Sequence, residues 1–476
     1  MDTFDPSRRT ALKASAAAVA AGTMASLGAL HARQREPGPS GNGSAPIAGP
    51  YGPLRPVADL ATGLPLLQLP RGFYYRSFGW TGDRMDDGQP CPRAHDGMAV
   101  MRRNPRIAFA RGHELVLVRN HEVGAGTPIA AAGVYDSGDI GNGARAGGGT
   151  TTLRVTRDGR LVSMQASLGG TLVNCAGGST PWGTWLTCEE IKTNAMSSIG
   201  LRHGYVFEVD PRPGRTTARP ITGMGRFSHE AVAVDPRTGI VYLTEDDRNK
   251  SGFYRFIPND RSGRPGSLEN GGRLQAARVR GRPNADLIVA TAGQRFALEW
   301  VDIAEPDLDG MRAPVGFPDI GATETLSGPF AQAWSAGALR MSRGEGIWYS
   351  AGRMFIVDTS TGVDATGRRG RGDGAVWVLD LGTQELSALF VSTNQLAANN
   401  PDNVTVSPRG GVVLCEDGGE SPDQYGPGAR VLGLTRAGET FYIAKNNVQL
   451  EPADIAAAGK TVAPDDYRDS EFCGAC

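Results

Sequence analysis

The sequence predicts an all-β fold, and within that class a β-propeller with six blades and loop insertions. Three observations predict it: a high glycine content, a series of short apolar runs that end in polar or acidic residues, and the nearly even spacing of those runs. Glycine makes up 66 of 476 residues, about twice the usual ~7% and without a collagen-like period. This excess indicates many tight turns between short strands.

The apolar runs predict the number of blades. Equivalent positions fall at residues 120, 188, 244, 301, 357 and 415. A repeat of this length that consists of strands, without alternating helices, is typical of a β-propeller. The six runs therefore predict six blades. The alternative is a glycine-rich β protein in which such a ladder arises by chance, and the run around Val301 is the weakest of the six.

The N-terminus has the composition of an export signal. Arg8 and Arg9 precede an alanine- and glycine-rich stretch without Asp, Glu, Lys or Arg from residue 14 to residue 32. The pattern predicts a twin-arginine signal over residues 1–32, with an ordinary secretory signal or a membrane anchor as alternatives. A polar linker (33–50) and a single propeller domain (51–476) follow. We therefore expect a periplasmic or extracellular protein without a stable membrane anchor, exported by the twin-arginine machinery.

Charge and cysteine content argue against two classes of protein. Lys and Arg number 49 against 50 Asp and Glu, a formal net charge of −1, which is untypical of nucleic-acid binders. Six cysteines are too few for a disulfide scaffold. The C-x-x-C sequence at residues 473–476 lacks the βαβ context of a redox motif.

Nothing in the sequence indicates an oligomer, so a monomer is expected.

The acidic ends of the apolar runs predict a metal site. The inner strands of a propeller converge on a central channel, so acids at several strand ends meet there. Clustered carboxylates repel each other and raise one another's pKa unless cations lie between them. Oxygen ligands favour a hard ion such as Ca²⁺, whereas a thiolate from Cys188 or Cys415 favours a transition metal such as iron. The alternative is that these acids lie in solvated loop starts.

Seven short motifs, taken in order, make the chain similar to the PhoX-type alkaline phosphatases. Each motif is weak alone, but together they extend over essentially the whole chain that follows the signal. They span residues 92–99, 119–122, 187–190, 225–230, 343–346, 401–403 and 414–418.

The resemblance implies a secreted phosphomonoesterase that acts on small-molecule phosphate esters, with Fe³⁺ and Ca²⁺ in the channel. It implies that Cys188 is the thiolate ligand of iron and that a metal-bridging oxygen attacks phosphorus. It also implies that Arg343 and Glu345 are the catalytic residues, with Arg343 as the phosphate clamp, because the planar fork of arginine matches two phosphate oxygens. The implied carboxylate ligands, not assigned to individual metals, are Glu122, Glu189, Glu230, Glu345, Asp402 and Glu416.

Two departures from the family pattern affect these expectations. Longer members carry Asp-Arg-Pro-Glu-Trp where this chain has Ser-Arg-Gly-Glu-Gly (342–346), so the substrate range is expected to differ. Members usually continue beyond the equivalent of residues 470–476 with another turn and strand, so we expect either an incomplete last blade or a ring that closes in a different way. A calcium-dependent lactonase or phosphotriesterase and a non-catalytic calcium-binding propeller are the alternatives. Arg343 and Cys188 argue against the first alternative, and a thiolate beside carboxylates argues against the second.

Overall fold

The computed structural model describes residues 45–101, 114–191, 201–321, 323–419 and 422–476. The predicted signal (1–32) and most of the predicted linker lie outside the described residues. No helix within the described ranges is long and apolar enough to cross a membrane.

The described residues form many short strands and two short helices. The helices are α1, Gly328–Ser335, and α2, Pro452–Ala457. The strands are, in chain order, β1 Leu54–Val57, β2 Leu67–Pro70, β3 His95–Val100, β4 Glu114–His121, β5 Gly148–Thr156, β6 Leu161–Thr171, β7 Asn174–Ser179, β8 Trp185–Glu189, β9 Val206–Val209, β10 His229–Val234, β11 Val241–Glu245, β12 Phe253–Pro258, β13 Gly272–Val279, β14 Arg295–Asp302, β15 Met311–Arg312, β16 Thr325–Leu326, β17 Gly344–Ser350, β18 Arg353–Asp358, β19 Ala375–Asp380, β20 Glu385–Val391, β21 Pro401–Val406, β22 Val412–Glu416, β23 Arg430–Leu434, β24 Thr440–Asn446, β25 Gln449–Leu450 and β26 Asp465–Asp466.

These strands build antiparallel meanders around a common centre. The meanders are β3–β6, β7–β9, β10–β14, β17–β20 and β21–β24, the last extended by β2 and β1. Pairing of β14 with β20 joins the third and fourth meanders into one nine-stranded sheet. Their first strands β3, β7, β10, β17 and β21 contact one another in succession. A narrow cavity lined by residues of all five first strands marks the central axis. This arrangement confirms the prediction of an all-β, propeller-like fold.

The six apolar runs that predicted six blades correspond to five meanders among the described strands. Five of their positions fall in the second strand of a meander: β4, β8, β11, β18 and β22. Val301 instead lies in β14, the outer strand of the third meander, where it faces Ala276 of β13. It does not mark a blade of its own. The five-stranded third meander and the residues before β17 lengthen this part of the chain enough to mimic another repeat.

The C-terminal segment, which we define as residues 471–476, joins the first meander to the last. The Cys473 thiol donates to the carbonyl oxygen of His95 at the start of β3, at 3.2 Å. The Gly474 amide donates to Asn403 Oδ1 in β21, at 3.4 Å. The segment thus lies where the sequence predicted an incomplete last blade.

Apolar packing between neighbouring meanders holds the ring together. Val118, Leu168 and Phe207 are fully buried between the first and second meanders. Val357, Phe390 and Leu414 fill the corresponding space between the fourth and fifth. Each such side chain contributes about 1.5–3 kcal/mol by leaving water. The strands read as nearly continuous apolar runs because both faces of each sheet are covered.

Candidate metal centre and active site

An acidic cavity of ≈ 260 Å³ lies at one end of the channel. Eight carboxyl groups, one thiol and one guanidinium line it. The lining residues are Asp96, Glu122, Cys175, Glu190, Glu230, Arg343, Glu345, Asp402, Asp417 and Glu471.

One lining residue comes from the same position in every meander. It is the second residue of the first strand, namely Asp96, Cys175, Glu230, Glu345 or Asp402. In all five meanders the register between the first and second strands shifts just after this residue. Such a bulge breaks the strict alternation of a strand and re-aims a side chain. The five bulges therefore direct five ligand-type side chains into one cavity.

The first strands approach each other closely at these bulges. A Cβ on Gly97 would lie 2.6 Å from Ala176 Cα and 2.8 Å from the carbonyl oxygen of Cys175. A Cβ on Gly346 would lie 2.8 Å from the carbonyl oxygen of Asp402. Both distances are below van der Waals contact, so glycine at these two positions lets neighbouring meanders bring their ligand-type residues together.

A second lining residue comes from directly after a second strand. Glu122, Glu190 and Asp417 follow β4, β8 and β22 and line the cavity. Asp246 follows β11 and binds the Arg343 guanidinium. The last residue of the strand itself points away and supports the backbone. The supporting residues are His121, Glu189, Glu245, Asp358 and Glu416.

The structure places three of the predicted site residues outside the cavity. Cys188 is fully buried in an apolar cluster. Glu189 accepts hydrogen bonds from the amides of Leu172 and Gly204, both at 2.8 Å, and pairs with the imidazole of His203. Because both carboxylate oxygens of Glu189 are engaged in these contacts, its side chain does not line the cavity.

Glu416 is the third predicted residue outside the cavity. It accepts from the Asn399 amide at 2.7 Å and from Arg430 Nε at 2.6 Å. The reason is the period of two in a strand: a shift of one residue moves a side chain to the opposite face. Glu190 and Asp417, one position further on, take the places in the cavity.

The other predicted residues do line the cavity. Glu122, Glu230, Glu345, Asp402 and Arg343 come from four different meanders and meet there. The sequence reasoning did not select Asp96, Cys175, Glu190, Asp417 or Glu471 as site residues. Asp96 lies in one of the seven motifs. Side chains alternate along a strand, and this alternation could have distinguished Glu190 from Glu189 and Asp417 from Glu416. No comparable pattern in the sequence marks Cys175 or Glu471 as a lining residue.

The lining side chains form overlapping groups at metal-ligand spacing. In each group the candidate ligand atoms lie within 4.8 Å of one another. The groups are Cys175 with Glu190 and Glu230, Glu230 with Glu345 and Asp402, Asp402 with Asp417 and Glu471, and Asp96 with Glu471 and Cys473. Because Glu230, Asp402 and Glu471 are shared, the groups join into one continuous arc that can hold several ions.

Burial and mutual repulsion raise the pKa of these acids. Burial raises the pKa of Glu230 well above its usual value, and the charges of Glu345 and Asp402 raise it further. Burial and the neighbouring Asp417 raise the pKa of Asp402 to about 7. Burial and Asp402 raise the pKa of Glu471 to about 10. Without cations the cavity is therefore a place where ionised carboxylates are costly.

Arg343 is the one guanidinium among the described lining residues. Its Nε donates to Asp246 Oδ1 at 2.7 Å, and its Nη2 contacts the other oxygen of Asp246 and Glu345 Oε1, the latter at 3.2 Å. Asp358 accepts the Arg343 amide at 3.0 Å. Burial lowers the pKa of Arg343, but Glu345 and Asp246 outweigh burial and raise it. The side chain is thus a charged group held in place by Asp246 and Glu345.

The donor set fits metal ions. Glu345 is 1% exposed, and its Oε1 accepts no hydrogen bond although Arg343 Nη2 lies near. A buried carboxylate oxygen without a hydrogen bond is costly unless a cation satisfies it. Glu345 belongs to the group formed with Glu230 and Asp402. The cavity therefore has the charge, the spacing and an unsatisfied ligand atom of a metal centre.

The sequence matches the family model described as Alkaline phosphatase PhoX over residues 49–167 and 162–476. No curated protein matches the chain.

Among solved structures, the chain is similar to Pseudomonas fluorescens PhoX in complex with vanadate, a transition-state analogue. Identity is 18%, the TM-score is 0.59, and the match covers 86% of this chain and 90% of that one. A putative glucose dehydrogenase from Thermus thermophilus aligns at 15% identity over 84% of this chain and 98% of its own, but with a TM-score of 0.32. The first likeness supports the fold, and the second is too distant to support an argument.

Proposed function

This chain belongs to the PhoX family of alkaline phosphatases, and we propose that its acidic cavity is the site where phosphate monoesters are hydrolysed. The phosphatase activity predicted from the sequence is confirmed by the family, whose members depend on metals. The observation that supports the site is a single guanidinium, Arg343, in a cavity of eight carboxyl groups arranged at metal-ligand spacing.

We infer that the arc of acids holds Fe³⁺ and Ca²⁺. The group of Cys175, Glu190 and Glu230 combines a thiol with two carboxyls, a set that favours a transition metal over calcium. The groups built around Asp402 and Glu471 offer oxygen ligands, which suit Ca²⁺. Cys188, Glu189 and Glu416 are left out of the proposed ligand set because they contact backbone or core rather than the cavity.

Bound metal ions would neutralise charge on the phosphoryl oxygens and activate the attacking oxygen. The protein's own part is to hold Arg343 in place. Asp246 binds one edge of its guanidinium and Asp358 fixes its backbone amide. The remaining N–H groups of the guanidinium can donate to the oxygens of a phosphoryl group. Since the transition-state charge lies on the equatorial phosphoryl oxygens, Arg343 serves as the clamp that lowers the barrier.

Phosphate does not enter an uncompensated acidic cavity. If its eight carboxyls are ionised, they outweigh the one arginine and give a field that repels a phosphate dianion. Bound metal ions make the electrostatic field of the cavity favourable for an anion. Metal loading and substrate binding are therefore coupled in the proposed site.

Elemental mass spectrometry combined with hydrolysis of p-nitrophenyl phosphate tests the proposal. We expect iron and calcium in the purified protein, loss of hydrolysis on chelation, and recovery when the ions are returned. Arg343→Ala should keep the metals and lower kcat/KM by about 10²–10³. Arg353→Ala, at an exposed ion pair with Asp380, is the matched control. Unchanged kinetics of the Arg343 variant would remove this residue from the site.

We also propose where the protein acts and which molecules it meets there. A twin-arginine signal over residues 1–32 would deliver a folded, metal-loaded enzyme to the periplasm or outside the cell. The substrates are then small phosphate esters present there, and the enzyme works as a monomer without nucleic acid or a membrane anchor. Fractionation of a culture that expresses the full chain, with Arg8→Lys and Arg9→Lys together as the comparison, tests the route.

A further inference from the structure

Two arginines outside the cavity lie on the same side as Arg343. Arg248 follows β11 two residues after Asp246, which holds the Arg343 guanidinium. Arg248 Nη1 donates to Ser360 Oγ at 3.1 Å and to the carbonyl oxygen of Gly370 at 2.9 Å. It thereby fixes the loop between β18 and β19, which continues directly into Arg371.

Both loops rise from the cavity end of the propeller. The loop after β11 contains Asp246, which binds the Arg343 guanidinium. The loop after β18 starts directly after Asp358, which accepts the Arg343 amide. The Asn249 side chain also reaches across to the carbonyl oxygen of Arg369. Arg248 and Arg371 therefore lie on two connected loops at the cavity end of the propeller.

Neither arginine is neutralised in the way its neighbours are. On the same loop Arg368 pairs with Asp364 at 2.7 Å, and Arg369 pairs with Asp286 and Asp319 at 2.6 and 2.8 Å. Within the described ranges no carboxylate forms an ion pair with Arg248 or Arg371. Arg371 is exposed to solvent, whereas Arg248 is half-buried.

The positive charges act on one another. Burial lowers the pKa of Arg248, and the guanidiniums of Arg343 and Arg371 lower it further, against the opposing effect of Asp246 and Glu345. Like charges held together without an ion-pair partner are stabilised by an anion that binds among them. The anion cannot be the phosphoryl group under attack, because Arg343 already takes that role in the proposed function.

We infer that Arg248 and Arg371 form a second anion subsite, which favours phosphate monoesters whose leaving group carries another negative charge, such as a carboxylate. The inference rests on the proposed function of the cavity. Arg371, which is exposed, supplies most of the selectivity, and Arg248 positions the loop that carries it.

A matched pair of substrates tests this subsite in the metal-loaded enzyme. Glycerol 3-phosphate and 3-phosphoglycerate each carry one hydrolysable phosphoryl group and differ in a single carboxylate. We expect Arg371→Gln to lower kcat/KM for 3-phosphoglycerate about fivefold, through KM, and to leave glycerol 3-phosphate within about twofold, as expected for an exposed charge. The preference of the unmodified enzyme should also decrease as salt is raised.

Two further variants sharpen the result. Arg371→Glu should lower kcat/KM for 3-phosphoglycerate more than Arg371→Gln does. Arg264→Gln is the control, because this exposed arginine lies between β12 and β13, at the opposite end of β12 from the β11–β12 connection.

The outcomes separate the two proposals. If both substrates are hydrolysed and Arg371→Gln changes their kcat/KM values equally or not at all, the subsite is refuted and the proposed cavity stands. If the metal-loaded enzyme hydrolyses neither substrate, or if Arg343→Ala leaves hydrolysis intact, the proposed cavity fails and the subsite fails with it.

Discussion

At the scale of single residues, position along a strand separates ligand candidates from structural groups. The last residue of each second strand is a buried polar side chain that holds backbone, as Glu189 holds Leu172 and Gly204. The residue after it lies in the cavity, as Glu190 does. Two adjacent acids thus have different tasks, and residue type alone does not tell them apart.

The two cysteines of the second meander allow a direct test. Cys175→Ser should remove the transition metal and lower activity by about 10²-fold, because a hydroxyl is a much weaker ligand than a thiolate. Cys188→Ser should retain the metal and lose about 1–3 kcal/mol of unfolding free energy, since a hydroxyl is then buried in an apolar cluster. Metal analysis and urea unfolding of both variants decide the matter. Loss of iron in the Cys188 variant alone would restore Cys188 as the ligand.

His203 predicts a pH dependence of stability. Burial lowers its pKa, but Glu189 at 2.6 Å and Asp136 at 3.4 Å outweigh burial and raise it above its ordinary value. A raised folded-state pKa means that the ion pair stabilises fully below about pH 6.5, and that this contribution is lost as the pH rises through the higher folded value. His203→Gln should therefore lower the unfolding free energy by about 1–3 kcal/mol at pH 6 and by less at pH 9.

Urea unfolding at the two pH values measures this difference. Asp136→Asn, which removes the more distant acid, should show a smaller change with the same sign. An equal loss at both pH values would mean that His203 contributes only neutral hydrogen bonds.

At the scale of elements, five bulges shape the site. Each first strand shifts register just after its second residue, so one lining residue per meander points into the cavity. Close approach of neighbouring first strands then sets the spacing of the ligands. At the Gly97 position, next to Ala176, the first and second meanders approach each other closely.

Gly97→Ala should separate these two meanders. The added methyl would overlap Ala176 and Cys175 and cost about 1–3 kcal/mol of unfolding free energy, and displacement of Asp96 and Cys175 should lower activity. Gly124→Ala is the control, because its nearest neighbour would be Val173 Cγ2 at 3.9 Å. Thermal unfolding and hydrolysis of p-nitrophenyl phosphate measure both effects. Equal stability of the two variants would contradict the close packing.

At the scale of the whole molecule, the C-terminal segment serves both structure and site. It contacts β3 through His95 and β21 through Asn403, and it supplies Glu471 to the cavity. The segment therefore contributes both to the contacts between the first and last meanders and to the lining of the cavity.

Removal of residues 471–476 should lower the melting temperature and abolish hydrolysis, because both ring contacts and one ligand are lost. Glu471→Gln keeps the ring contacts and changes only the ligand, so it should retain the melting temperature of the metal-free protein while losing calcium. Calorimetry with and without chelator, together with metal analysis, distinguishes the two. A shortened chain with unchanged activity would place Glu471 outside the metal centre.

Local patterns in the sequence were enough to predict the fold class, the family and part of the site. Short apolar runs ending in acids predicted strands that converge on a channel, and Glu122, Glu230, Glu345, Asp402 and Arg343 meet there. These features depend on residues that are close in the chain, so a single sequence displays them.

Tertiary packing settled which neighbours of those residues share the cavity. It placed Cys175 rather than Cys188 beside Glu230, and it moved Val301 from a sixth blade to the edge of the third meander. It also brought Glu471 across to Asp402. The physical reason is that side-chain direction in a strand reverses at every residue and shifts at a bulge, while contacts between distant segments depend on how the sheets pack around the axis.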